Sequence, residues 1–210
     1  MEEKKILRIV ITGGPCGGKT SALGEITKTF RELGYTVICV NEAASELIED
    51  GIRPFGSEKD KLDLIDFQRI ILVEQLAKEK TRDMAAEKYK NDKIIILYDR
   101  GILDNRAYLK DEEFKQLIDE QNITEAEILQ KYDLVIHLVT AADGKKEYYV
   151  NNSTRTETAE EAIQKDRRTM ETWSNHPNQK IIANDETFIK LLKEKEEKLR
   201  KDYNLEINKS

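Results

Sequence analysis

The stretch "ITGGPCGGKT", residues 11–20, holds four of the ten glycines of the 210-residue chain and one of its three prolines. Within it, Gly13, Gly18, Lys19 and Thr20 fit G-x-x-x-x-G-K-[ST], the spacing of a loop that cradles the phosphates of a nucleotide. So bare a backbone lets successive N–H groups turn inward on a polyanion, and the positive end of a following helix adds attraction. In that geometry Gly13, Gly14, Pro15, Cys16, Gly17 and Gly18 wall the phosphates, Lys19 reaches the outer ones, the Thr20 hydroxyl can ligate Mg²⁺, and Ser21 follows in the first helical turn. ATP or GTP with Mg²⁺ is the ligand that this chemistry implies.

Two further acids stand where apolar runs end. "IIILYDRG" closes on Asp99 and Arg100; the acid is placed to hold Mg²⁺ or orient an acceptor hydroxyl, and the arginine to spread charge off a transferring phosphoryl group. An ordinary surface ion pair is the alternative. "TVICVNEAAS" closes on Glu42, which fits a general base or a ligand of the acceptor hydroxyl, and equally an acid favoured by a helix N-terminus.

These groups converge only if the apolar runs are neighbouring parallel strands. Strands are expected over 6–12, 36–40, 93–99, 134–140 and 180–183, nearly unbroken in Ile, Leu and Val as strands covered on both faces should be. Amphipathic stretches fill the gaps. A helix is expected over 19–33, with Ala22, Ile26, Phe30 and Leu33 at helical spacing and Gly34 as its stop. A long or broken helix should cover 62–89, one or two shorter ones 111–130 with Thr124 a cap before Glu127, and a last one should carry Phe188, Leu191, Leu192, Leu199 and Tyr203 on one face. The alternation predicts an α/β domain with a five-stranded parallel sheet flanked by helices, spanning 1–210 as one unit.

Composition narrows the class. Charged residues make up 36% of the chain, the formal net charge is −6, and the two signs are interspersed, so no basic stripe marks a nucleic-acid partner. The apolar runs are too short for a secretory leader or a membrane span. Cys16 and Cys39 lack zinc spacing and are too few for a disulfide framework, so a cytoplasmic protein with reduced thiols is expected.

The phosphate loop, "DFQ" at 66–68, "DRG" at 99–101 and an arginine-bearing segment before the last strand together resemble the P-loop nucleoside and nucleotide kinases. Within these, "GGPCGGKT", "NEAAS", "YDRGILDNRAYL" and "HLVTAADG" look most like the AAA-domain family related to the ribosylnicotinamide kinase of NAD metabolism, whose animal members include GTP-binding, phosphoinositide-associated proteins. The likeness spans roughly residues 6–190. It implies a three-layer P-loop NTPase fold with Glu42 on the acceptor side, Gln68 as a hydrogen-bonding residue toward an acceptor base, and Asp99 and Arg100 on the Mg²⁺ and phosphate side. Neither His137 nor His176 lies in an H-x-G-H motif, so no adenylyltransferase activity is implied.

The resemblance also implies a helical lid over about 141–173, closing one of Arg155, Arg167 and Arg168 over the phosphates; a solvated helical hairpin is the plainer reading. Asn184 falls where related proteins read the nucleotide base, and it equally suits an N-cap. His137, inside "LVIHLV", reads as a packed core residue, His176 in "SNHPN" as a surface turn, and Trp173 as a lid anchor or a base-stacking ring. Two functions stay open: a kinase moving the γ-phosphoryl of ATP or GTP to a small hydroxyl acceptor, nucleoside-like, and a nucleotide-dependent switch with slow hydrolysis and a protein or phosphoinositide partner. Glu42 discriminates, because only the kinase needs an acceptor-side carboxylate.

Overall fold

Strands that are apolar on both faces must be covered on both, and the three central strands of the computed structural model meet that condition while the two edge strands are partly exposed, at Cys39 and Ile181 among others; the structure describes residues 6–15, 17–140 and 158–182. The strands are β1 (Ile6–Gly13), β2 (Thr36–Val40), β3 (Ile94–Asp99), β4 (Leu134–Leu138) and β5 (Gln179–Ile182), in the order β2-β3-β1-β4-β5 with every pairing parallel. Each begins and ends within two residues of its expected bounds.

Alternate residues of β1 feed opposite layers. Ile9 and Ile11 pack with Ala22, Ile26 and Phe30 of α1 (Lys19–Glu32), while Val10 packs with Leu72, Tyr98, Leu103 and Trp173 on the other face. That second face is covered by α3 (Leu64–Lys88), α4 (Asp111–Glu120) and α5 (Glu125–Lys131), and the architecture is therefore three-layered. The 62–89 stretch is a single unbroken helix, and 111–130 divides in two at Thr124. There the Glu127 amide donates to Thr124 Oγ1 at 3.2 Å and the Thr124 amide to Glu127 Oε2 at 2.8 Å, a reciprocal cap.

Three elements lie beside the ends of β2, β3 and β4. Helix α2 (Ala43–Glu49) and a 3₁₀ helix, Ile102–Tyr108, follow β2 and β3 directly and carry no periodicity by which the sequence announces them. Helix α6 (Ala159–Thr172) is the described part of the expected lid segment. Cys16, Arg155, Asn184, residues 141–157 and the expected last helix lie outside the described residues.

Candidate active site

Parallel strands bring their C-terminal ends to one edge, where ligands of open α/β sheets bind. β3 lies between β1 and β2, with Ile11 opposite Asp99 and Val40 opposite Tyr98. The phosphate loop after β1, Glu42 after β2, and Asp99 and Arg100 at the end of β3 therefore meet.

The loop keeps the form its motif demands. A Cβ on Gly13, at φ +138°, would collide with the carbonyl oxygen of Leu138, so β1 approaches β4 too closely for any side chain there. Gly18 has open space around it but sits at φ +76° as the residue before α1, a left-handed conformation that favours glycine. Lys19 opens α1 and folds back, its Nζ donating to the carbonyls of Gly14 at 2.8 Å and Gly13 at 3.2 Å. Thr20 and Ser21 stand exposed in the same turn, and the half-buried Pro15 accepts a hydrogen bond from Thr140 Oγ1 at 2.5 Å.

Beside the loop, Glu42 precedes α2 without capping its backbone. Its carboxylate is ion-paired with Arg100 and accepts from Ser45 Oγ at 2.6 Å. Glu42 thus stands at the N-terminus of α2, where the helix dipole favours an acid, while its side chain engages Arg100 and Ser45 instead of backbone amides. Arg100 itself adopts φ +73°, a conformation uncommon outside glycine, and its Nη1 donates to the Gly13 carbonyl at 3.3 Å. The strained corner turns the guanidinium back over the strand ends and bridges Glu42 to the Gly13 carbonyl of the glycine-rich loop.

Charge crowding splits the titration of the site. Burial disfavours an ionised Glu42, but Arg100 and the Ser45 hydroxyl outweigh it and hold the carboxyl down at about 2. Burial, reinforced by the charge of Glu42, pushes Asp99 up to about 6 against the opposing pull of Lys19 and Arg100. Burial and then Arg100 lower Lys19 to about 8, offset only in part by Glu42 and Asp99. Two neighbouring carboxylates with separated affinities for a proton mark a place built for chemistry.

Asp99 also supplies the test for a metal. Its Oδ1 is buried and hydrogen-bonds to nothing among the described residues, a donor atom suited to a cation beside the phosphates. No cluster of three or more His, Cys, Asp or Glu among the described residues could hold a metal by itself. Mg²⁺ does not require one, since it is bound through one or two protein oxygens together with waters and nucleotide phosphates. Asp99 and the Thr20 hydroxyl fit that demand.

The acids open onto a cleft of about 440 Å³, partly open to solvent, whose lining includes Ile71, Gln75, Asn105 and Tyr108. Gln75, which no motif marks, and Asn105, which lies within "YDRGILDNRAYL" without an assigned role, form a buried pair: Asn105 Nδ2 donates to Gln75 Oε1 at 3.0 Å. Gln68 is buried on α3 one turn before Ile71 and is not among the lining residues. Asp104 is a further residue that the sequence did not reveal. Its carboxylate accepts from Thr12 Oγ1 at 2.8 Å, Trp173 Nε1 at 2.7 Å and the Gly101 amide at 3.0 Å, tying β1, α6 and the corner after β3 together.

The lid-side residues divide. Arg167 and Arg168 are both exposed, and Arg168 Nη2 donates to the Leu109 carbonyl at 3.0 Å, next to Tyr108 of the cleft. Trp173 is fully buried with its N–H taken by Asp104, which fixes it as an anchor and excludes base stacking. His137 is a core residue, as expected, with Nε2 3.0 Å from Asp166 Oδ1. His176 corrects its expectation: it is buried, accepts the Asn178 amide on Nδ1 at 3.1 Å and so donates from Nε2 to the Tyr132 carbonyl at 2.8 Å, edge-on to Trp173.

A glycine-rich phosphate loop between the central strand and α1, with an acid at each of two adjacent strand ends, defines a P-loop protein of the nucleoside and nucleotide kinase fold. A family model described as "AAA domain" matches residues 8–189, and the chain belongs to that family. Among solved structures it is similar to the deoxyadenosine kinase of M. mycoides with bound dATP, at TM-score 0.58 and 17% identity over 91% of this chain and 99% of that one. It is equally similar to the thymidylate kinase of Candida albicans, at TM-score 0.59 and 16% identity over 97% and 96% of the two chains. A comparison with curated protein sequences yields no match.

Proposed function

We propose that the chain is a phosphotransferase that moves the γ-phosphoryl group of ATP or GTP to a hydroxyl of a small, nucleoside-like acceptor. The observation that carries this reading is the placement of Glu42: a carboxylate held ionised by Arg100, facing a cleft lined with amides and a phenol, across Asp99 from the phosphate-binding lysine. A nucleotide switch has no task for such a group.

The roles follow from the two affinities. At a pKa of about 2, Glu42 is a poor proton acceptor but a permanent hydrogen-bond acceptor, so it orients the attacking hydroxyl rather than stripping it. A loose transition state asks little more, because positioning and charge compensation do most of the work in phosphoryl transfer. Lys19 and Arg100 bracket the loop carbonyls and compensate charge on the transferring group. When bound, Mg²⁺ would be held by Thr20, Asp99 and nucleotide oxygens and would neutralise phosphate charge. Gln75, Asn105 and Tyr108 offer hydrogen bonds to a neutral acceptor. Arg155, Arg167 and Arg168 stay candidates for the phosphates, and the bond of Arg168 to the Leu109 carbonyl beside the cleft supports that candidate. The likeness of fold to two kinases supports the same reading.

The test is a transfer screen of nucleosides, nucleoside monophosphates and ribosylnicotinamide with both donors, run beside Glu42→Gln. Transfer to one acceptor, lost in the variant while donor binding survives, is the expected result. Hydrolysis of the donor with no acceptor ever phosphorylated would transfer the lead to the switch.

A further inference from the structure

The buried stripe of α6 runs through Ala162, Asp166, Thr169 and Trp173, and one of these is an acid. Burying a carboxylate is costly unless donors meet it. Two do, both on Asp166 Oδ1: the Gly14 amide at 2.6 Å and His137 Nε2 at 3.0 Å. A carboxylate only accepts, so His137 carries its proton on Nε2.

What the first of these bonds holds is functional. The Gly14 residue whose N–H points to Asp166 turns its carbonyl to Lys19 Nζ at 2.8 Å. The fit is close: a Cβ on Gly14 would meet Asp166 Cβ and Oδ1 at 2.7 Å. One residue along, Thr140 Oγ1 grips the Pro15 carbonyl at 2.5 Å. Consecutive residues of the phosphate loop are thus gripped by the chain that follows β4 and by α6, and the motif G-x-x-x-x-G-K-T accounts for neither contact.

We propose that Asp166 is a positioning residue of the donor site: it fixes the Gly14 peptide, and through the Gly14 carbonyl it sets where the Lys19 ammonium meets the outer phosphates. The assignment rests on the phosphotransferase reading only in requiring that the loop bind a nucleotide. Asp166 acts through the Gly14 backbone and not by touching substrate. A carboxylate suits the task better than a neutral acceptor because its bond to the amide is charge-assisted and short.

The experiment measures dissociation constants of Mg-ATP and Mg-GTP with fluorescent analogues at 25 °C, and separately the melting temperature, for the full chain and its variants. Asp166→Ala should weaken nucleotide binding by at least about tenfold, as expected when a phosphate-binding cation is displaced by a fraction of its contact distance. Asp166→Asn, whose Oδ1 still accepts from the Gly14 amide, should stay within about threefold of wild type. In steady-state transfer or hydrolysis the donor KM should rise more than kcat falls. Should Asp166→Ala not fold, Asp166→Glu, which keeps the charge but displaces the carboxylate by a methylene, carries the same expectation. A folded Asp166→Ala with wild-type affinity, a folded Asp166→Glu with wild-type affinity, or an Asn variant as weak as the Ala variant each overturns the positioning role. Wild-type protein that binds neither nucleotide sinks the phosphotransferase reading itself, an outcome visible before any variant is made.

Discussion

In the proposed reaction Lys19 would meet a triphosphate as an amine whose charge is already contested. In the free protein it titrates near about 8, and phosphate oxygens against it raise that value. Between the free and bound values binding takes up a proton, so affinity is flat below about pH 8 and falls as pH rises beyond it. Calorimetry in two buffers of different ionisation enthalpy should show almost no uptake at pH 7 and about one proton at pH 9. No uptake at pH 9 would place the amine away from the phosphates. In Asp99 the folded protein shifts the group the other way, upward. Its native value of about 6 lies above the ordinary 3.8, so the native state holds that proton more tightly and stability falls as pH rises from about 4 to 6, then stays lowered. Asp99→Asn should therefore melt higher than wild type above pH 6, by on the order of 2 kcal/mol after allowance for partial exposure, and converge with it toward pH 4, while losing transfer. Equal melting curves at pH 7.5 would contradict the crowding described at this acid. Glu42→Gln should bind Mg-nucleotide as wild type does and transfer at least about tenfold more slowly; transfer at the wild-type rate would remove Glu42 from the acceptor side.

At the scale of elements, α6 is joined to the strand ends by two buried acids, Asp166 at Gly14 and Asp104 beneath Trp173. Trp173→Phe removes one donor from Asp104 together with part of the buried ring packing beside Gly101, which should cost at least about 1–3 kcal/mol in a urea denaturation series. A change below about 0.5 kcal/mol would show that the Thr12 and Gly101 donors suffice. The strands and long helices were legible in the chain because hydrophobic periodicity reports burial, and burial is what shapes them. The phosphate loop was legible for another reason: only glycine tolerates the approach at Gly13 and the left-handed turn at Gly18. Asp104, Gln75 and Asp166 were not, since a buried polar residue is identified by partners 30 to 152 positions away and has no local pattern. His176 misled for the same reason. "SNHPN" has the composition of an exposed turn, and what buries its ring is Trp173 and the Tyr132 carbonyl.

For the whole molecule, ligand linkage gives a direct check: at nucleotide concentrations near a hundred times Kd, with Mg²⁺, stability should rise by about 2.7 kcal/mol, and Lys19→Ala should abolish the shift. An unchanged shift in that variant would exclude this loop as the site. The fold class and the edge of the sheet that carries the site could be read from the order of strands and helices alone, whereas the strand order could not, because it is decided by which crossovers pack. That order places the first strand in the middle. Ile6 of β1 pairs with Ile94 of β3, and Ile9 with Leu134 of β4, so both flanks of β1 wait for chain made much later. At synthesis rates of roughly 5–20 residues per second, the wait for β4 is on the order of ten seconds. Until β3 emerges an apolar strand with two open edges is presented to the ribosome surface and to chaperones, one edge stays open until β4, and the phosphate loop beyond it has no wall at Leu138 to shape it. The nucleotide site is thus among the last features to form, although its motif is among the first residues translated. Ribosome-stalled chains ending before residue 94 should leave β1 open to protease and unprotected by ATP or GTP; protection of β1 in those chains would show that the strand finds shelter before its neighbours exist.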